Sequence, residues 1–422
     1  MATAIVTGAT GITGTAIVEA LARSPEYAEI YTLSRSQKTE PHPKVKHATV
    51  DLQASAEDMA KSLAHIPPAT HIYFCAYLAN PDEGEAARIN GGMLANFLAG
   101  LTKAGQMVKL KRFILTCGLK QYGVHLGRPK NPMREDDDAS LFWLEQADRP
   151  PNFYYVQQRI LEKAADDGGN KWSWTVTYPQ DVIGFARANF MNLCTGLGLY
   201  CAVSKELEES QLVFPGNKTN YLAFNDWTSA RLHADFCLWA TKAPSAENQR
   251  FNVTNGDAQS WQDIWPRIAK RYGCRLPEDM FPAADGERKA YPGYESNGWK
   301  LHARPPIAEV EAEIGLKGQF EQSQVFCQID LQKWAKRPEV VKAWETLRDR
   351  YDLEQGAWDN ATWGFLTFLL GREFDCVASM SKARKMGFTG YADTWDEFQR
   401  TFKSLEEAKM LPPVADRKGS HS

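Results

Sequence analysis

Ala4-Ile5-Val6-Thr7-Gly8-Ala9-Thr10-Gly11-Ile12-Thr13-Gly14 stands at the start of the 422-residue chain. Ala4-Ile5-Val6 predicts a short buried strand, and the apolar spacing over 12–22 predicts an amphipathic helix directly behind it. A strand that turns sharply into a helix leaves backbone N–H groups pointing at one spot, where the helix dipole favours an anion. Gly8 permits the tight turn, Gly11 lets the backbone approach a pyrophosphate, and Gly14 lets the helix pack close to the sheet. Thr7 and Ile12 flank this loop. The spacing G-x-x-G-x-x-G is one residue longer in its first gap than the usual dinucleotide fingerprint. Three glycines alone are a weak signal; the strand–turn–helix context at the start of the chain is what points to a dinucleotide. The bland reading is a tight turn with no ligand.

Working outward, strand and helix patterns alternate as far as residue 180. Strands are expected at 4–7, 30–33, 47–50, 71–75, 112–116 and 173–178, with helices at 12–22, 55–64, 83–104 and 154–165. This alternation predicts an α/β fold, a Rossmann-type doubly wound parallel sheet. Beyond Pro179 the pattern breaks up. Residues 223–241, 261–272 and 307–314 read as helices, and 212–214 and 251–253 as strands. The expected division is a dinucleotide-binding domain at 1–180, a smaller, mostly helical substrate lobe at 181–413 with segments returning to the main sheet, and a tail at 414–422.

The end of the second strand reports on the nucleotide. An NAD enzyme usually carries an acid there for the ribose hydroxyls. This chain reads Thr32-Leu33-Ser34-Arg35-Ser36-Gln37-Lys38. The planar donor fork of Arg35 suits a 2′-phosphate, and Ser34 and Ser36 add hydroxyl donors, so the expected cofactor is NADPH/NADP+. Asp51 and Leu52 follow the third strand and are placed near the adenine. Ala76 and Tyr77 follow the fourth, on the nicotinamide side.

Reductases built on such a loop ordinarily carry Tyr-x-x-x-Lys on one helix, which puts both side chains on one face. No Tyr of this chain is followed four residues later by Lys; Tyr154 is followed by Gln158 and Tyr155 by Arg159. Lys120 instead lies in Thr116-Cys117-Gly118-Leu119-Lys120-Gln121-Tyr122, which leaves the fifth strand at its C-terminal end, where sites of open α/β sheets lie. That run, with Asn152-Phe153-Tyr154-Tyr155 about thirty residues on, resembles the progesterone 5β-reductase/iridoid synthase-like (PRISE) family of atypical extended short-chain dehydrogenases/reductases. Pro179-Gln180-Asp181-Val182-Ile183-Gly184-Phe185, Phe190-Met191-Asn192, 251–257 and Met386-Gly387-Phe388 extend the resemblance over most of the chain.

The resemblance implies a catalytic Lys moved to Lys120, a catalytic Tyr at Tyr154, and an aromatic pocket wall at Tyr77 and Phe365. Thr116, Lys120, Tyr154, Pro179 and Val182 are assigned to the cofactor side, and Tyr122 and Met191 join Tyr77 and Phe365 around the substrate. The chain departs from the family at Gln121 (usually His), at Gln157-Gln158 (usually acidic) and at Tyr77 (usually Trp), and is longer at 128–149 and 281–304. The expected activity is NADPH-dependent reduction of a hydrophobic α,β-unsaturated carbonyl compound. A ketone reductase, a non-redox cyclase or isomerase, and a non-catalytic NADP(H)-binding regulator remain alternatives.

Composition excludes other classes. The net charge of −3 gives no electrostatic footprint for nucleic acid. None of the eight cysteines forms a Cys-x-x-Cys pair, and the acidic run 135–138 lacks a His or Gly turn, so no metal site is expected. Trp261 and Trp265, at helical spacing, read as core. No apolar run reaches the ~18 residues of a membrane helix, and Met1 leads straight into a strand, so a cytoplasmic protein without a leader is expected. A homodimer is left open.

Overall fold

The computed structural model describes residues 1–35, 42–137, 149–169, 171–187, 190–284 and 286–414. Seven parallel strands form the main sheet: β1 (Ala2–Thr7), β2 (Tyr27–Ser34), β3 (Val45–Thr49), β4 (His71–Phe74), β5 (Arg112–Thr116), β6 (Ser173–Pro179) and β7 (Gln249–Val253). Their spatial order is β7-β6-β5-β4-β1-β2-β3. The order reverses between β1 and β4, and the crevice beyond the carboxyl ends of these strands is where such sheets bind ligands. Ala4 to Thr7 of β1 are fully buried, as a central parallel strand covered on both faces requires.

Helices α1 (Ile12–Arg23), α2 (Ala56–Leu63), α3 (Glu83–Lys103) and α4 (Phe153–Asp167) connect the strands. One face of the sheet is packed by α2, α3 and α4 through Met59, Leu63, Leu94, Phe97 and Leu161. The other is packed by α1 and a later helix, Ala230–Ala240, through Ile17, Leu21, Phe236 and Cys237. A second apolar core, rich in Trp, lies wholly within residues 183–411 and includes Trp227, Trp261, Trp265, Trp334 and Trp344. Trp261 and Trp265 are fully buried within it, so both are core residues. The strand expected near 251–253 is β7, which pairs with β6 from Gln249↔Thr175 to Val253↔Pro179.

Three expectations for the second half are corrected. Residues 223–241 are not one helix: a short helix (Lys218–Leu222) and two-residue strands (Phe224–Asn225, Thr228–Ser229) precede the helix Ala230–Ala240. Long-range bonds divert the backbone there, Asp226 N–H donating to the Cys376 carbonyl and Thr228 N–H to that of Gln180. Residues 212–214 form no strand; Leu212 N–H donates one bond to the carbonyl of Arg275 beside an isolated bridge. In 307–314 only a 3-10 turn, Pro306–Glu309, forms. Pro306 has no N–H to give, and Ile307 N–H is spent on the carbonyl of Arg128. Ser36, Asp138 and the tail from 415 lie outside the described residues.

Candidate active site

The glycine loop closes on itself. Gly8 has φ +64, and a Cβ there would lie 2.8 Å from the backbone of Cys75 and Ala76. A Cβ on Gly14 would lie 2.1 Å from the Gly8 carbonyl oxygen. Both positions therefore exclude a side chain, as Gly11, which starts α1, leaves the first helical N–H groups without a side-chain cap. The first turn of α1 holds no acid, so nothing competes with an anion for those donors. Ile12, buried at the helix start, packs with Val182 and Ala230. The Thr7 hydroxyl is buried without a partner among the described residues. A cradle that a Cβ would fill, uncapped donors and an orphan hydroxyl together fit a dinucleotide pyrophosphate.

The nucleoside side is open. Ser34 is half-buried and Arg35 exposed at the end of β2, and the Ser34 carbonyl accepts Val50 N–H from the next strand. Asp51 is exposed and accepts Gln53 N–H, while Leu52 packs against the sheet core.

At the other side of the switch point lie Tyr77, Thr116, Lys120, Tyr154 and Pro179. Tyr154 is the second residue of α4 and is buried, 7% exposed. Its hydroxyl makes no hydrogen bond among the described residues. A Cβ on Gly118 would come 3.0 Å from this hydroxyl and 3.3 Å from the Pro179 carbonyl, so the glycine of the β5 loop is what lets Tyr154 reach the sheet edge. Burial pushes the Tyr154 hydroxyl well up from its ordinary value, and Cys117, Tyr77 and Glu83 push the same way. It stays protonated and is a donor. The Tyr77 ring stacks on Phe153 (centroids 6.3 Å apart, 6° between planes), and Phe153 packs edge-on to Tyr154 at 4.5 Å. Tyr77 Oη is likewise buried without a partner, and burial raises it. Thr116 lies beside the fourth-strand end, its hydroxyl 3.4 Å from Cys75 Sγ.

The β5 loop and α4 are tied by Asn152. Its Oδ1 caps α4 by accepting Tyr154 N–H at 3.0 Å, and its Nδ2 donates to the Lys120 carbonyl at 2.8 Å. Tyr155 Oη adds a bond to the Gln121 carbonyl at 2.7 Å. Lys120 Nζ makes no hydrogen bond to Tyr154; it donates to Glu83 Oε1 at 2.9 Å.

Gln158, four residues after Tyr154, occupies the place of the ordinary Lys. Its Nε2 donates to Gln121 Oε1 at 2.8 Å and to the Tyr154 carbonyl; its Oε1 accepts from Tyr178 Oη at 2.6 Å and Arg250 Nε at 3.0 Å. An ammonium there would be buried beside Arg250. Two of the departures from the family, Gln121 and Gln158, are thus one neutral pair.

Of the residues expected around the substrate, Tyr77 stands next to Tyr154. Tyr122 is 5% exposed and donates its hydroxyl to Asn252 Oδ1 at 2.8 Å. This bond joins the β5 loop to β7. Phe365 is half-buried against the second, Trp-rich core, and Met191 is half-buried just before the helix Leu193–Glu206.

Comparison with known proteins decides the family. The PRISE-like Rossmann-fold domain matches residues 4–289.

The chain belongs to the PRISE family.

This PRISE protein is 39% identical over 412 residues to an uncharacterized protein of Schizosaccharomyces pombe, covering 97% of this chain and 98% of the relative. It is 30% identical over 419 residues to a short chain dehydrogenase of Penicillium aethiopicum (97% and 99% covered). It is 24% identical over 419 residues to a 3-oxo-Delta(4,5)-steroid 5-beta-reductase of Arabidopsis thaliana (97% and 92% covered). It is a Rossmann-fold enzyme of the short-chain dehydrogenase/reductase kind, an NAD(P)-dependent oxidoreductase.

Three site residues of this PRISE protein escape a sequence reading. Gly118 looks like any loop glycine. Asn152 carries a visible helix-start signal, but its second bond, to Lys120, does not. Glu83 looks like an ordinary first-turn acid, placed for the helix dipole.

Proposed function

We propose that this PRISE protein uses NADPH to reduce a hydrophobic α,β-unsaturated carbonyl compound. The observation that carries the reading is the Tyr154 hydroxyl: buried, protonated, without a hydrogen-bond partner among the described residues, and set at the sheet edge against Gly118. A bound nicotinamide supplies hydride. Tyr154 supplies the other half of the chemistry, a hydrogen bond to the oxygen that gains charge when the double bond is reduced. In a dry site such a donor is typically worth about 10²–10³ in rate. The packed rings of Tyr77, Phe153 and Tyr154 make this edge of the sheet apolar and favour an apolar substrate. Arg35 at the β2 end, with no acid beside it, supports NADPH over NADH. The name of the Arabidopsis relative describes reduction of a conjugated 3-oxo steroid, which is the same reaction class.

The test is a panel of cyclic and acyclic enones, enals and saturated ketones, followed by NADPH absorbance and by product analysis, with NADH in parallel. Turnover of conjugated carbonyls, faster with NADPH, and a loss of about 10²-fold or more in Tyr154→Phe are expected. Turnover of saturated ketones alone, product formed without NADPH consumption, or full activity in Tyr154→Phe would each overturn the reading.

A further inference from the structure

Lys120 is ion-paired to a carboxylate that the resemblance does not mention. Glu83 is the first residue of α3, on the loop that leaves β4 at the edge where Tyr77 lies. Capping of α3 is done by its neighbour: Asp82 Oδ1 accepts Glu85 N–H at 2.7 Å. The Glu83 carboxylate is therefore left for Lys120, which it meets at 2.9 Å with the two side chains 27% and 33% exposed. Glu83 also lies close enough to Tyr154 to push its hydroxyl up. Glu83 hence links the Lys120 ammonium to the surroundings of the Tyr154 hydroxyl.

We propose that Glu83 is a positioning residue for Lys120. It parks the ammonium at the mouth of the site in the nucleotide-free protein, and it gives the ammonium up when the nucleotide binds. The proposal rests on the NADP(H) reading of the glycine loop. A half-exposed pair is weak enough to be exchanged, and Lys, with three rotatable donors on a flexible stem, is the side chain suited to changing partners. The backbone that carries Lys120 need not move, because Asn152 and Tyr155 hold residues 120 and 121 by their carbonyls. Only the side chain swings.

The test measures NADPH and NADP+ affinity by fluorescence titration of the full chain, with no substrate needed. Glu83→Gln is expected to tighten NADPH roughly threefold, because no ion pair has to be broken. Lys120→Met is expected to weaken it. In the double variant, Glu83→Gln should add nothing to Lys120→Met. Glu57→Gln, which removes the partner of Lys103 on the α2–α3 surface at the same 2.9 Å, should leave affinity unchanged. An unchanged or weaker affinity in Glu83→Gln overturns the proposal. So does an equal gain in the Lys120→Met background, which would mean simple relief of repulsion between a carboxylate and an anionic nucleotide. A wild-type chain that binds neither nucleotide overturns the functional reading along with the proposal, whereas failure of the Glu83 variant in a chain that binds NADPH overturns the proposal alone.

Discussion

Tyr77 shows how a site residue can be costly to the fold. Its buried hydroxyl has no partner among the described residues, and an unpaired buried hydroxyl costs about 1–3 kcal/mol. Tyr77→Phe is therefore expected to raise the melting temperature of the ligand-free protein while weakening ligand binding; thermal melts with and without NADPH and substrate check both signs. Asp226 makes a pH-dependent contribution. Burial, with Asp257 nearby, pushes its carboxyl up to about 7, although Ala378 N–H, donated at 2.7 Å, opposes this. A folded pKa above the unfolded one means stability is fully present below about pH 4 and is lost as pH rises to about 7. Above pH 7 the loss is on the order of a few kcal/mol. Asp226→Asn keeps an acceptor and never ionises. Its stability relative to wild type should rise between pH 5 and pH 8 in denaturant titrations, and a pH-independent difference would refute the assignment.

At the scale of elements, two joints make the site: the β1–α1 turn and the seam between the β5 loop and α4. The turn was legible because its determinants are neighbours in sequence. Gly14→Ala puts a methyl 2.1 Å from the Gly8 carbonyl oxygen, a backbone atom that cannot swing away. Overpacking of this kind costs about 1–3 kcal/mol, and here it also opens the loop. A lower melting temperature together with loss of NADPH binding is expected, and binding retained at wild-type affinity would contradict the cradle. The seam was legible only in part. The absence of Tyr-x-x-x-Lys and the presence of Lys120 after β5 can be read from spacing. That Gln158 fills the vacated place, bonded to Gln121, Tyr178 and Arg250, depends on residues 20 to 92 positions apart.

For the molecule as a whole, the helical C-terminal region reaches the sheet edge through Arg372. Its guanidinium meets Asp181 at 2.6 Å, with side chains 3% and 12% exposed. Asp181 follows β6 with φ +37, a strained conformation for a residue other than Gly. The ion pair thus holds the turn between Pro179 and Val182 that borders Gly118. Arg372→Leu leaves the Asp181 carboxylate buried and unpaired and should cost about 3–5 kcal/mol. Adding Asp181→Asn should recover part of that loss. Urea unfolding of the single and double variants checks this, and additive losses would show that the two groups do not act as a pair. Among the described residues no helix is long and apolar enough to cross a membrane.

The sequence by itself determined the glycine loop, the parallel α/β alternation and the family, and it singled out Tyr154 and Lys120 as candidates. These follow from local patterns: turn chemistry, strand and helix periods, and short motifs. Tertiary structure alone decided what each of these groups touches. Lys120 is held by a carboxylate 37 residues away, the Tyr154 hydroxyl is left unpartnered, and Tyr122 is turned into the core by Asn252, 130 residues on. The same holds for 223–241, where apolar spacing suggests one helix but backbone bonds to Cys376 and Gln180 break it. A period along the chain reports which face of an element is buried. It does not report which polar partner waits on the neighbouring element, and the chemistry of this site is set by those partners.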